Sequence, residues 1–92
     1  MKYIIEVYSK DGNVYYYHPS AFGDMISNNF VRAYDEGFDT VEEAKGYFTS
    51  TQKSFKINTL GMTVVAVKIV SVQATKEDVC GLTIKDVCKV NS

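Results

Sequence analysis

Apolar and polar positions first organise the chain at its start. Residues 3 to 8, YIIEVY, and 14 to 18, VYYYH, are runs rich in aromatic and β-branched residues, joined by SKDGN. Asp-Gly between two such runs is a strong hairpin signal. On the first strand Tyr3, Ile5 and Val7 share one face and Ile4, Glu6 and Tyr8 the other, which Glu6 marks as the outer one. Two registers are open. If the loop has three residues with Gly12 left-handed, Ser9 pairs with Asn13, Tyr15 and Tyr17 join Ile5 and Val7, and Tyr16 lies beside Glu6 and Tyr8. If Asp11-Gly12 is a two-residue loop, the register slips by one and Tyr15 and Tyr17 become the outer pair.

The pattern weakens from Pro19 to Asn29, where SAFGDMISNN reads as one or two helical turns opened by Ser20. FVRAY at 30 to 34 resumes strand character. In FDTVEEAKGYF, Thr40 and Glu43 form a capping box, so a helix begins at Val41. Val41, Ala44, Phe48, Thr51 and Phe55 recur at helical spacing as its buried stripe, Glu42, Glu43 and Gly46 face water, and the hydroxyl-rich TST places the end near Lys53. MTVVAVKIVSV, residues 62 to 72, reads as a central strand with Val65, Val67 and Ile69 on the core side. In the last segment Thr75 with Asp78 and Thr83 with Asp86 resemble helix starts, and Leu82, Ile84, Val87 and Val90 can pack back onto the sheet. The expected architecture is therefore α+β: one domain over residues 1–92, an antiparallel sheet of three to five strands, one main helix on one face, and a short C-terminal helical cap.

Composition narrows the function classes. The 92 residues are 46% hydrophobic and 13% aromatic, which suits an ordered globular domain. Ten basic residues against eleven acidic ones lack the basic excess of nucleic-acid binders. The apolar stretch containing Lys68 is too short to span a bilayer, and no cleavage site follows the N-terminal run, so a cytoplasmic setting is expected. Reduced thiols at Cys80 and Cys88 fit that compartment. With His18 as the only histidine, zinc lacks ligands and no nucleophile–base pair is evident. There is no glycine-rich phosphate loop or dinucleotide fingerprint either. We expect no catalytic residue, no metal and no cofactor.

Two surfaces stand out as binding candidates. At least one ring of the tyrosine triplet joins Glu6 and Tyr8 on the outer face under either register, and Tyr16 does so in the three-residue loop. Such rings either cover a sheet face or form a docking patch, because exposed tyrosines are enriched at interfaces. The second surface is the run Asp35, Glu36, Asp39, Glu42 and Glu43, with no basic residue between positions 35 and 43. Acidic residues at a helix start complement its dipole; a cluster of them also suits a positively charged partner. Gly46, exposed on the helix, offers room for close approach of another chain.

The order of a DG hairpin, a variable segment, the FDTVEEA helix entry and a valine-rich strand resembles that of small proteins encoded by bacteriophages and mobile elements, over roughly residues 2 to 72. Among these it is similar to the anti-CRISPR proteins, in particular inhibitors of type I and first of type I-F surveillance complexes. That resemblance implies a monomeric, non-enzymatic inhibitor in the host bacterial cytoplasm. It would bind a Cas effector complex and block target DNA, with no free nucleic acid or membrane as partner. The alternatives are a phage regulatory module for another host protein, such as a polymerase or nuclease, and a structural phage component.

Overall fold

The computed structural model describes residues 2–74 and the strand backbone at 82–90. The elements in chain order are β1 (Lys2–Ser9), β2 (Val14–Ser20), β3 (Gly23–Ser27), α1 (Phe30–Asp35), α2 (Val41–Ser50), α3 (Gln52–Asn58), β4 (Val64–Ala74) and β5 (Leu82–Val90). The strands form one five-stranded sheet in the order β3-β2-β1-β4-β5, antiparallel at every step. The expected α+β class and antiparallel sheet are what the chain adopts.

The hairpin register is the three-residue alternative. Gly12 has φ +91°, a left-handed backbone that favours glycine, and Ser9 N–H donates to the Asn13 carbonyl at 3.0 Å. Ile5 therefore faces Tyr17, Glu6 faces Tyr16 and Val7 faces Tyr15. On this inner face Ile5, Val7, Tyr17, Val67 and Ile69 meet Ala44 and Phe48 of α2 and Phe55 of α3 in the main core. The helix stripe of the sequence thus lands where expected, with Ala44, Phe48 and Phe55 buried.

The helix itself is interrupted at Thr51. The Thr51 hydroxyl donates to the Tyr47 carbonyl at 2.7 Å and accepts the Tyr17 hydroxyl at 2.7 Å. A β-branched residue bonding back to its own helix distorts the turn, and Tyr17 fixes the distortion from the sheet. Helical structure then continues to Asn58 rather than stopping near Lys53.

Four expectations are corrected. The segment after Pro19 is strand β3, not helical turns. Pro19 lacks the N–H that would continue the ladder with β1; the isolated bridge between Tyr3 and Phe38 takes that place, with N–H···O distances of 2.7 and 2.8 Å. FVRAY is helical, not extended: Asn29 caps α1 by accepting the Arg32 amide at 3.1 Å, and Phe30, Ala33 and Tyr34 fall on one face at helical spacing. Phe30 and Tyr34 cover Ile4, Val70 and Val72, so the second face of the sheet also carries a helix.

Val65 is the third correction, 58% exposed instead of core. Tyr8 pairs with Ala66 but Ser9 pairs with Val64, so Val65 is the extra residue of a β-bulge and leaves the alternation. Last, the helical cap expected at the C-terminus is strand β5 over Leu82–Val90, paired with β4 from Val67 to Ala74. The open backbone edge of β4 and the β-branched content of LTIKDVCKV outweigh the helix-start signal at Thr83 and Asp86. The other expected start, Thr75 with Asp78, lies outside the described residues, as does Cys80.

Candidate protein-docking surface

The acidic run occupies the passage from α1, on one face of the sheet, to α2, on the other. Asp35 ends α1 and Glu36 is its C-cap, donating its N–H to the Arg32 carbonyl at 3.1 Å. Gly37 follows at a point where a Cβ would stand 3.0 Å from the Tyr34 carbonyl oxygen and 3.2 Å from both Lys2 Cβ and the Tyr3 carbonyl oxygen. Only a residue without a side chain passes there undistorted. Phe38 is then stitched to Tyr3 by two backbone bonds and stacks on Tyr47, ring centroids 5.1 Å apart. Thr40 caps α2 by accepting the Glu43 amide at 3.1 Å, so this half of the expected capping box is formed.

This anchoring holds the backbone that carries a short, exposed run of carboxylates. Asp35, Glu36, Asp39, Glu42 and Glu43 are all exposed. Glu42 and Glu43 sit in the first turn of α2, where helix polarity accounts for them. Asp35 and Glu36 sit at the opposite pole of α1, where the same polarity disfavours a negative charge. Lys2 relieves part of this, its ammonium donating to the Asp35 carbonyl at 3.1 Å and lying 5.2 Å from the Tyr34 ring centroid. Helix stability alone therefore explains only two of the five carboxylates.

The tyrosine surface is built differently. Glu6 is 6% exposed and accepts a hydrogen bond from the Tyr8 hydroxyl. It faces Lys68 across the β1–β4 ladder, and the Lys68 ammonium lies 5.2 Å from the Tyr8 ring centroid. Tyr16 is half-buried with its ring edge-to-face against Phe30, centroids 5.6 Å apart. Burial, and then the nearby Glu6 carboxylate, raise the Tyr16 hydroxyl above the usual tyrosine range. The structure brings Glu6, Tyr8 and Tyr16 together on one face of the β1–β2 hairpin, with Glu6 buried, both rings half-buried and Tyr16 against Phe30 of α1, apart from the acidic segment. Of the expected docking residues, only the acidic five stand free on the surface.

The remaining chemistry is also engaged in packing. His18 is 2% exposed; its Nδ1 lies 2.8 Å from the Pro19 carbonyl oxygen and its Nε2 lies 3.0 Å from Ser27 Oγ. A carbonyl only accepts, so Nδ1 carries the proton and, in the neutral ring, the serine hydroxyl donates to Nε2. Among the described residues no group of three or more His, Cys, Asp or Glu could hold a metal ion. No helix among them is long and apolar enough to cross a membrane.

Two features escaped the sequence reading. A cleft of about 540 Å³ lies between the β1–β2 turn and the loop before β4, lined by Lys10, Asp11, Tyr15, Leu60, Met62 and Thr63 among others. The Ser9 hydroxyl and the Asn13 amide hold the Asp11 carboxyl below the usual range. Phe22, at the tip of the β2–β3 turn, is 93% exposed. The sequence signal for Phe22 is an apolar residue between Ser20 and Gly23, which marks an exposed turn only once the segment is strand and not helix. No family model, no curated protein and no solved structure matches this chain.

Proposed function

We propose that this protein is a non-enzymatic inhibitor that docks on a basic surface of a partner protein. We take that partner to be a type I CRISPR surveillance complex, first of type I-F, whose DNA-holding surface the inhibitor covers. The observation that carries this reading is the anchored, exposed segment with Asp35, Glu36, Asp39, Glu42 and Glu43, two of whose charges sit against the polarity of their own helix. Surfaces that hold DNA are rich in lysine and arginine, so exposed carboxylates on an anchored backbone compete for them and accelerate encounter. The resemblance in element order to anti-CRISPR proteins supplies the choice of partner. The host cytoplasm is the compartment this reading requires.

The test is target-DNA binding by a purified type I-F surveillance complex, followed by fluorescence anisotropy with and without the purified chain. The wild-type protein should abolish DNA capture near stoichiometric concentration. The double variant Asp39→Lys and Glu42→Lys should associate about tenfold more slowly at low salt and show a weaker salt dependence. Unchanged DNA capture in a large excess of folded protein refutes this reading and points to a different host protein or to a phage structure.

A further inference from the structure

We infer that Phe22 is the apolar anchor of the docking surface, and that the partner offers an apolar cleft flanked by lysine or arginine side chains. The inference rests on the docking reading above and adds the chemistry at the centre of the contact. Among the described residues Phe22 is the most exposed of the large apolar ones, 93% against 63% for Val31 on α1 and 80% for Leu60 beside the cleft. Aromatic side chains at the centre of an interface carry a disproportionate share of binding energy when a surrounding rim excludes water.

Its setting is rigid rather than frayed. Ser20 Oγ donates to the Gly23 carbonyl at 2.6 Å and accepts the Phe22 amide at 3.2 Å, so one serine closes the turn from both sides. Two residues on, Asp24 accepts the Tyr47 hydroxyl at 2.6 Å, and its carbonyl accepts the Asn58 side-chain amide at 3.3 Å. The turn is thus tied to α2 and α3. A residue presented in this way loses little freedom on binding, which favours affinity.

Charge decides which partner suits the anchor. β1 runs antiparallel to β2, so the start of β1 lies at the end of the sheet where β2 finishes in the Phe22 turn. Tyr3 at that end bridges to Phe38, inside the acidic segment, and Tyr47, which holds Asp24, is one helical turn beyond Glu43. Phe22 and the carboxylates therefore share one end of the molecule. Lys2 at the same end is engaged by the Asp35 carbonyl, and an apolar residue on an end that carries five exposed carboxylates suits an apolar cleft flanked by basic side chains and disfavours an acidic one.

Surface plasmon resonance against the purified type I-F surveillance complex separates the two proposals. Phe22→Ala should raise the dissociation rate about 30-fold and leave the salt dependence of association unchanged. Asp39→Lys with Glu42→Lys should do the reverse. Val31→Ala, a change at an exposed apolar residue on another element, should stay within twofold of wild type. Because Phe22 packs on nothing that a melting curve would register, Phe22→Ala should unfold at the wild-type temperature. Wild-type affinity in Phe22→Ala, with the charge variant weakened, overturns the anchor and leaves the docking reading intact. Absence of wild-type binding overturns both.

Discussion

Phe48→Ala is the substitution that most directly tests how the sheet and helices hold together. Phe48 is 2% exposed, with its ring edge-to-face against Phe55 at 5.0 Å and against Tyr17 at 6.3 Å, in a cluster that includes Ile5, Val67 and Ile69. Burial of such a side chain contributes about 1.5–3 kcal/mol. Each aromatic pair adds about 0.5–1.5 kcal/mol, and the cavity left between α2 and the sheet adds to the loss. The expected cost is about 3–5 kcal/mol. At roughly 0.05–0.15 kcal/mol per residue the whole domain has about 5–14 kcal/mol to lose, so the variant should be unfolded or close to it at 37 °C. Urea denaturation followed by circular dichroism measures this, with the neighbouring exposed Thr49→Ala as a control expected within about 0.5 kcal/mol of wild type. A Phe48→Ala midpoint that implies less than about 1 kcal/mol, with an unchanged slope, would refute the packing described for the inner face.

Two glycines should respond with opposite signs. Gly46 is exposed on α2 with open space where a methyl would stand, so Gly46→Ala should stabilise by about 0.5–1 kcal/mol; at Gly37 the added carbon meets two carbonyl oxygens and Lys2, and Gly37→Ala should cost about 1–3 kcal/mol in the same assay. The Tyr47 hydroxyl is pushed well above the tyrosine range by burial first and then by its hydrogen bond to Asp24. The folded chain therefore keeps a proton that the unfolded chain releases near pH 10; this stabilisation is complete below that pH and is lost as pH rises above it. Tyr47→Phe should flatten the decline of urea midpoints between about pH 9.5 and 11.5, and an unchanged slope would count against the buried phenol.

Strong local chemistry was legible in the sequence and competition between elements was not. Asp11-Gly12 between alternating runs placed the first hairpin, and Thr40 with the Val41, Ala44 and Phe48 spacing placed α2 and its inward face, with Phe55 continuing the stripe into α3. FVRAY has β-forming residues, yet Asn29 supplies a cap and Ile4, Val70 and Val72 supply an apolar surface for Phe30 and Tyr34 to cover. That surface exists only after β1 and β4 have paired. The exposure of Val65 depends on the bulge opposite Ser9, which alternation cannot reveal from one strand. At the candidate site, the acidic residues were visible as a run, whereas the burial of Glu6 and the projection of Phe22 required the paired sheet and the turn to be in place.

The central position of β1 has a consequence for synthesis. Its neighbour on one side, β2, follows immediately, but the other, β4, begins roughly 55 residues later in the chain, which at about 5–20 residues per second takes roughly 3–11 s to make. During that interval an emerging β1–β2–β3 meander can close its local turns while leaving one apolar edge, IIEV, without its pairing strand. Such an edge is a template for intermolecular pairing, and the wait is set by ribosome speed rather than by the stability of the finished domain. Slower translation between Asn13 and Met62 should therefore lower the soluble yield of this protein without changing the melting temperature of the molecules that fold.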